Sequence, residues 1–419
     1  MRPAMRILVY GINFEPELTG IGKYTGDMAR WLAARGHEVR VVTAPPYYPQ
    51  WQVQAGFSAS RYACQPDPAL ARIWRCPLWV PAHPGGARRL MHLGSFALSS
   101  LPVVLAQARW RPQLVWMAAP ALACAPAALA LARLANAPAW LHVQDFEVDA
   151  AFDLGLLRGA RMRAAVLHAE RWLLRGFDRV STISERMRER LHHKGVAEAR
   201  AVLFPNWVDL GTIVPQPVAA QGGVNRWRER LGIDSRQAVA LYSGNMGAKQ
   251  GLEVLGHAAR LLAARRDIVF VLCGEGSGRG ALQSLCDGLD NVRMIDLQPM
   301  TELDELLNMA DLHLLPQRAD AADLVMPSKL TGMLASGRPV VAGARAGTAL
   351  EAVVRECGVV VEPEQAQPLA VAVAALADDL PRRLALGTAA RALAEARLGR
   401  DAVLRRVEAE MLVVAGGAR

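Results

Sequence analysis

Lysine is scarce in this sequence, and cysteines never occur in a closely spaced pair. Only four of the 48 basic residues are lysine, namely Lys23, Lys194, Lys249 and Lys329. In such an arginine-rich chain, a retained lysine indicates a position that needs a compact point charge rather than a planar guanidinium. The six cysteines lack CxxC spacing and a nearby histidine cluster. Their scatter argues against a metal site and a disulfide framework, and favours a reducing, cytoplasmic setting.

Long uninterrupted apolar segments are also missing. The apolar run near the N-terminus is too short for a signal peptide. The segment LVWMAAPALACAPAALALARL has the length of a membrane span, but Pro120 and Pro126 interrupt it. A strand, a turn and a buried helix explain it as well, and we predict those elements. We therefore expect a cytoplasmic protein, either free or peripheral on the inner face of the cytoplasmic membrane.

Positive charge is concentrated in the first half of the chain. Residues 1–207 hold 25 Lys and Arg against 14 Asp and Glu, a net charge of +11, whereas the remaining residues carry 23 against 25, a net charge of −2. Such asymmetry predicts that the first half faces an anionic partner. Nucleic acid is not expected, because no base-stacking aromatic pattern or helix-turn-helix signature occurs.

Two arginine-containing segments, Arg88–Arg111 and Gly155–Phe177, mix arginines with apolar and aromatic residues at helical spacing. Such a helix either lies in the interface of an anionic membrane or packs on its own sheet. The sequence leaves both interpretations open.

Short apolar runs alternate with amphipathic segments along the whole chain, which predicts parallel sheets covered by helices. The predicted strands of the first half are RILVYG, EVRVVTA, ARIWRCPL, QLVWMA, AWLHVQ, RVSTIS and AVLFPN, and those of the second half are AVALYSGN, IVFVLCGEG, VRMIDL, DLHLLPQ, RPVVAG and GVVVEP. We predict an α/β fold with two doubly wound domains, residues 1–207 and 208–390, followed by a C-terminal helix at 391–419 that could return to the first domain. Ligands of doubly wound sheets bind outside the carboxyl ends of the strands, so we expect the site in a cleft between two sets of loops.

Three loops of the second half combine glycine or lysine with the start of a helix. YSGNMGAKQGLEVL carries Lys249, CGEGSGRGAL follows a strand without matching the dinucleotide spacing G-x-G-x-x-G, and LVMPSKLTGMLASGRPVV opens a helix at Ser328 and Lys329. Glycines allow close backbone approach, and a helix N-terminus favours anions. We predict that Lys249 and Lys329 clamp a diphosphate; the alternative for the first loop is a plain turn with an exposed lysine.

These loops, with GINFEPELTGIGKYTGDM, LHVQDFEVDAAFDLG and FPNWVD, carry a resemblance that extends over nearly the whole chain. The sequence resembles glycosyltransferase family 4 of the GT-B fold, in particular its colanic acid biosynthesis members. The resemblance implies two Rossmann-like domains facing a central cleft, an acceptor-binding one first and a nucleotide-sugar-binding one second. It also implies retaining transfer from a nucleoside diphosphate sugar to a lipid-linked saccharide, without a metal or other cofactor.

Some family positions differ in this sequence. Lys249 matches the family lysine, but Asn245 stands near the place of an arginine. Two family glutamates correspond to Leu324 and Gly332, so we expect a substitute among Asp320, Asp323 and Glu351. A family His-Asp pair corresponds to Gln144-Asp145, and Asp145 has the alternative of a helix cap.

The resulting site prediction assigns three roles. Catalytic residues are Lys249, Lys329 and Asp145. Donor-binding residues are Gly20, Gly22, Gly244, Asn245, Gly247, Gly274, Glu275, Gly276, Gln298 and Ser328. Acceptor-side residues are Lys23, Tyr24 and Gln144.

Two other functions share this architecture. A nucleotide-sugar 2-epimerase would need ionisable residues around C2 and C3 of the sugar, and a membrane-associated scaffold could retain a vestigial nucleotide site. The donor base, guanine or uracil, cannot be read from the loops, and fucose is suggested only by the resemblance.

Overall fold

The computed structural model describes residues 4–17, 20–82, 85–153, 160–247, 250–319 and 327–417. The chain forms two compact units. Unit 1 consists of Met1–Pro205 together with Leu404–Arg419, and unit 2 consists of Asn206–Val403.

The described part of unit 1 contains an eight-stranded sheet in the order β3-β4-β2-β1-β5-β6-β7-β8. Its strands are β1 (Arg6–Tyr10), β2 (Glu38–Thr43), β3 (Ala63–Gln65), β4 (Arg72–Arg75), β5 (Leu114–Ala119), β6 (Ala139–Val143), β7 (Arg179–Thr182) and β8 (Ala201–Leu203). β5 and β6 are buried along their whole length, as central strands covered on both faces should be. The parallel pairing sets Ile7 opposite both Val39 and Leu114.

The sequence did not predict β3. This strand is three residues long, two of them exposed, and pairs antiparallel with β4 at the edge of the sheet. An exposed edge strand of this length has neither the apolar run nor the alternation by which strands are identified.

The described residues of the N-terminal segment of unit 1 form six α-helices. They are α1 (Gly20–Ala34), α2 (Gly86–Ala106), α3 (Ala125–Ala135), α4 (Glu147–Asp153), α5 (Ala160–Arg175) and α6 (Glu185–His193). The apolar segment with Pro120 and Pro126 forms β5, a short turn and α3, as predicted. The first arginine-containing segment forms α2, and the second ends in α5 after residues 154–159, which lie outside the described ranges.

One helical segment within the described residues, Gly86–Trp110, is long and apolar enough to cross a membrane. This test uses length and composition only. A third of its most apolar window is buried inside the protein.

The described part of unit 2 contains a six-stranded parallel sheet in the order β11-β10-β9-β12-β13-β14. Its strands are β9 (Ala238–Ser243), β10 (Ile268–Cys273), β11 (Val292–Ile295), β12 (Leu312–Leu315), β13 (Val340–Gly343) and β14 (Gly358–Val361). Its helices are α7 (Arg226–Arg230), α8 (Glu253–Leu261), α9 (Arg279–Cys286), α10 (Leu303–Asn308), α11 (Lys329–Ala335), α12 (Ala349–Arg355), α13 (Ala366–Asp378) and α14 (Leu380–Arg397). Both units are thus doubly wound α/β domains, as predicted.

The C-terminal segment is shared between the two units. The residues 391–419 that we expected as one helix comprise the end of α14 and α15 (Arg400–Gly417), with Leu398 and Gly399 between them. Gly399 and Val208 form an isolated β-bridge, which leaves no helical backbone there. From Leu404 onward the chain belongs to unit 1, where the buried Glu408 pairs with Arg35 at 2.7 Å and His37 at 3.1 Å.

Candidate active site

The glycine loops of unit 2 lie where the strand order reverses, between β9 and β12. Ligands of doubly wound sheets bind at this switch point, outside the carboxyl ends of the strands. Gly244 follows β9 and Gly274 follows β10. A Cβ atom on Gly274 would lie 2.0 Å from the carbonyl oxygen of Gly244. Because no larger residue fits there, the two loops can pack backbone against backbone.

Hydrogen bonds join the same two loops. The amide of Met246 donates to the carbonyl of Glu275 at 2.7 Å, and the amide of Gly278 donates to the carbonyl of Met246 at 2.8 Å. Five predicted donor-binding residues are therefore neighbours at this edge: Gly244, Asn245, Gly274, Glu275 and Gly276. Gln298 lies in the loop after β11, where its amide donates to the carbonyl of Asp296 at 2.8 Å.

Lys329 begins α11 and reaches into this loop cluster. Its Nζ donates to the hydroxyl of Tyr242 at 2.7 Å, and a longer bond of 3.5 Å reaches the carbonyl of Asn245. Burial lowers the pKa of the Lys329 ammonium to about 7. No carboxylate of the described residues pairs with Lys329, and burial is the only cause of its lowered pKa. A partly buried cation without a counter-ion is poised to bind an anion, which would restore its charged form.

Tyr242 was missed as a site residue because it occupies the buried strand β9. Its hydroxyl donates to the carbonyl of Asn245 at 2.6 Å while accepting from Lys329. The side chain therefore orients the lysine toward the loops. The sequence signal is a tyrosine that follows four aliphatic residues in a strand and directly precedes its last residue, Ser243.

Several predicted residues of unit 2 cannot be placed in this cluster. Lys249, Asp320, Asp323 and Leu324 lie outside the described residues. Gly247 lies beside the cluster, since a Cβ atom on it would be 3.3 Å from Nδ2 of Asn245. Ser328 directly precedes α11, and Gly332, where the family glutamate is missing, lies within that helix. The proposed donor contacts of Lys249, Gly247 and Ser328 stay predictions.

Glu351, a proposed substitute for the family glutamates, has a local structural role. Its Oε2 accepts from the amide of Gly347 at 2.8 Å, and its Oε1 pairs with Arg355. The bond from Arg355 lowers the pKa of this carboxyl. Both oxygens thus hold the first turn of α12, and the residue is not available to a ligand without breaking those contacts.

The edge of the first sheet reverses its strand order between β1 and β5, and α1 begins there. Gly20 has φ +66°, and a Cβ atom on Gly22 would lie 2.5 Å from a carboxylate oxygen of Glu17. The glycine at position 22 is therefore required by the approach of Glu17. Burial lowers the pKa of Lys23, whose Nζ lies 5.7 Å from the ring centroid of Tyr24. Tyr24 itself is only 3% exposed.

Glu17 is a buried carboxylate that the sequence did not reveal. One oxygen accepts from the amides of Tyr47 and Tyr48, both at 3.1 Å, and the other accepts from Nδ2 of Asn13 at 3.0 Å. Burial raises the pKa of Glu17 to about 7, against the lowering effect of these bonds. The carboxylate connects the loop after β1 to the loop after β2, so it fixes the positions of these two loops relative to each other.

Replacing Glu17 with glutamine is expected to flatten the pH dependence of stability. Folding raises the pKa of Glu17 from its ordinary 4.5 to about 7. The folded state therefore holds this proton more tightly, and its stabilising contribution, full below pH 4.5, is lost as the pH rises through 7. The free energy of unfolding of the wild type should fall by up to ~3 kcal/mol more than that of the variant between pH ~5 and ~8.

Chemical unfolding at the two pH values measures this difference. Glu189→Gln removes an exposed glutamate of α6 and serves as the matched control. Parallel pH dependence in the wild type and Glu17→Gln would contradict the assignment.

Gln144 and Asp145 follow β6 at the same edge of the first sheet. The side chain of Gln144 is buried, and its Nε2 lies 3.1 Å from Nε2 of His142. It therefore contacts the core. Glu147, another carboxylate that the sequence did not reveal, accepts from the amides of Ala121 and Leu122. Burial, with a smaller contribution from Asp145, raises the pKa of Glu147 to about 7.

Comparisons with known proteins match both halves of the chain. The model of the glycosyl transferase 4-like domain covers residues 19–207, and the model of glycosyl transferases group 1 covers residues 224–393. The putative colanic acid biosynthesis glycosyl transferase WcaI of Escherichia coli is 45% identical over 96% of this chain and 98% of its own length. The chain belongs to glycosyltransferase family 4.

Solved structures give this glycosyltransferase its fold class. Sucrose-phosphate synthase from Thermosynechococcus elongatus superposes with a TM-score of 0.73 over 96% of this chain and 97% of its own, at 18% identity. HepE from Anabaena, solved with UDP and glucose, gives 0.68 over 97% and 99%, at 15% identity. At such identities the likeness concerns the fold alone, which is GT-B with two Rossmann-like domains.

Within its described residues, the glycosyltransferase holds no group of three or more His, Cys, Asp or Glu side chains able to bind a metal ion. Metal independence stays a prediction. What the unit 2 edge can supply is a cation, Lys329, beside glycine loops that permit close approach of a ligand.

Proposed function

We propose that this glycosyltransferase moves a sugar from a nucleoside diphosphate sugar to a lipid-linked saccharide, with retention of configuration and without a metal ion. The observation that carries the proposal is Lys329, a cation that pairs with no carboxylate among the described residues and lies at the switch point of the second sheet. Negative charge develops on the leaving diphosphate as the glycosidic bond breaks. A fixed cation aimed at that charge lowers the barrier without reorganisation.

The proposed chemistry is the same-face displacement that the resemblance to the family implies. The bond between the anomeric carbon and the diphosphate breaks on the same face on which the acceptor hydroxyl attacks, and the departing phosphate takes the acceptor proton. No protein nucleophile is required. Lys249 is proposed to add a second cation, and Asp145 to orient a sugar hydroxyl. NMR of the product anomer tests retention.

The pathway and donor are proposed from relatives. High identity to a colanic acid enzyme over almost the whole chain supports a role in exopolysaccharide biosynthesis in the cytoplasm. The donor is proposed to be GDP- or UDP-linked, with GDP-fucose as the first to test. HepE was solved with UDP, which keeps the uridine nucleotides in the test.

Thermal unfolding with UDP, GDP, ADP or NAD tests the nucleotide site. One nucleoside diphosphate at 100 times its Kd should stabilise the protein by ~2.7 kcal/mol. For a unit of this size that raises the melting temperature by about 5–10 °C. A shift with one nucleoside diphosphate alone supports the transferase and identifies the donor class.

The other outcomes separate the rival functions. No shift with any nucleotide would favour the scaffold with a vestigial site. A shift with NAD alone would contradict the proposal. Product formed from the donor without any acceptor would indicate a 2-epimerase, because only the transferase needs a second substrate.

A further inference from the structure

Helix α2 of unit 1 exposes its apolar side. A surface helix normally buries its apolar face and exposes charged residues. Here the helix buries Phe96, Ser100 and Val104, yet Leu98 is 76% exposed and Met91 59% exposed. No Asp, Glu, Lys or Arg occurs from Leu90 to Ala108. The solvent side of the helix therefore carries large apolar side chains and no charged ones between Leu90 and Ala108.

The exposed residues form one continuous stripe. At about 100° per residue, the solvent side of α2 contains a sector of about 120° in which every residue is apolar. Its larger members, the α2 surface, are the exposed Leu90, Met91, Leu98, Leu101 and Pro102 and the half-buried Leu105. With a rise of about 1.5 Å per residue, the stripe is about 22 Å long. Single exposed leucines are common in proteins, but a stripe of this length indicates an interaction surface.

Two exposed aromatic residues flank the stripe. Trp79 is 43% exposed and is bonded to α2 through its backbone. Its amide donates to Oγ of Ser95 at 2.9 Å, and its carbonyl oxygen lies 2.6 Å from Nδ1 of His92. The hydroxyl of Tyr62 donates to the carbonyl of Ser99 at 2.9 Å. Tryptophan and tyrosine concentrate where apolar and wet environments meet, as at the surface of a bilayer.

Basic residues stand at both ends of the stripe. Arg88 lies in the first turn of α2, and Arg109 and Arg111 follow its last turn; all three are exposed. None of them forms an ion pair with a described residue. The surrounding half of the chain has a net charge of +11, from 25 Lys and Arg against 14 Asp and Glu. A partner complementary to the α2 surface would offer apolar groups to its leucines and negative charge to the arginines at its ends.

Two other arrangements, a membrane-spanning helix and a dimer, fit the α2 surface less well. A transmembrane arrangement would place the opposite side of α2 in lipid, but that side packs Phe96 and Val104 inside unit 1. A second copy related by a two-fold axis would set arginines at the end of one stripe against arginines of the other, and like charges repel.

We propose that the α2 surface docks this enzyme on an anionic lipid bilayer, with the helix lying in the plane of the interface. Its leucines enter the boundary between head groups and acyl chains, and its terminal arginines contact lipid phosphates. The reason for docking, which is to bring the enzyme to a lipid-linked acceptor, rests on the proposed function, whereas the docking itself does not. Lipid binding can be measured without turnover, so the two proposals can fail separately.

Vesicle flotation of the full chain tests the docking. The wild type should float with vesicles of phosphatidylglycerol and phosphatidylcholine and far less with phosphatidylcholine alone, and added salt should weaken its binding. The double variant Leu98→Gln, Leu101→Gln should lose at least ~10-fold in vesicle affinity, because two leucines no longer enter the interface. Leu134→Gln, at a 65% exposed leucine of α3, is the matched control and should bind as the wild type does.

Three outcomes would overturn the proposal. They are wild-type protein that binds no vesicle, a double variant that binds as well as the wild type, and a wild-type dimer in sedimentation that the same double variant dissociates. Melting temperatures with and without nucleoside diphosphate accompany every variant. An unchanged nucleotide shift in the double variant shows that its fold and its donor site are intact.

Discussion

Replacing Lys329 with methionine should lower kcat/KM for glycosyl transfer by ~10²–10³-fold, because removal of one charge-stabilising donor costs ~2.7–4 kcal/mol of transition-state stabilisation. Methionine keeps the length and apolar stem of lysine. Since the Lys329 ammonium forms no ion pair with a described residue, the melting temperature should stay within a few degrees of the wild type. Steady-state kinetics with the donor identified by thermal shift measure the effect.

The same lysine should make donor binding depend on pH. In the free enzyme burial lowers the pKa of Lys329 to about 7. A diphosphate binds the protonated form, so affinity should be highest below pH 7 and fall as the pH rises above it. Calorimetry of the nucleoside diphosphate between pH ~6 and ~8.5 should show this slope in the wild type and a weaker one in Lys329→Met. Normal turnover by the variant would refute the role of Lys329.

Replacing Lys194 with methionine should have the opposite profile, a large loss of stability with little loss of turnover per folded molecule. Nζ of Lys194 donates to Asp149 at 2.9 Å and to Glu170 at 2.7 Å, and both the lysine and Glu170 are buried. These residues tie α4 and α5 to the end of α6. Breaking a buried ion pair by removing one partner costs about 3–5 kcal/mol.

Differential scanning calorimetry should show that loss as a drop of roughly 10 °C in the melting transition of unit 1. The double variant Lys194→Met, Glu170→Gln removes the orphaned charge and should recover part of the loss. If the single and double variants melt together, the charge left on Glu170 is not the cause. If Lys194→Met melts like the wild type, the buried ion pair contributes nothing.

The two lysines show what the sequence could and could not predict. Among the described residues, apolar runs predicted each strand except β3, because strands that bury apolar side chains leave a direct record in composition. The position of Lys329 at the start of a helix was also readable. Its bond to Tyr242 was not, since 87 residues separate them. Lysine scarcity indicated positions that need a compact point charge, but it did not reveal that Lys194 neutralises buried carboxylates from other helices.

The carboxylates show the same limit. Glu17 and Glu147 lie inside segments that we recognised, but nothing in their neighbours predicts burial. Each is buried because it accepts amide donors from a loop at least 25 residues away. Such pairings depend on how loops meet at a sheet edge, which a periodic pattern does not encode. Glu351 shows the converse case, because its contacts with Gly347 and Arg355 are local in sequence.

The return of the chain to unit 1 at Leu404 has a consequence for synthesis on the ribosome. Arg35 can form its ion pair with Glu408 only after 373 further residues have been synthesised. At about 5–20 residues per second, that delay is roughly 20–75 s. Unit 1 emerges first but is therefore completed after unit 2, and a nascent chain exposes the surface that α15 covers until that helix has been made. A chain truncated within α15 would carry its structural defect in the unit that was synthesised first.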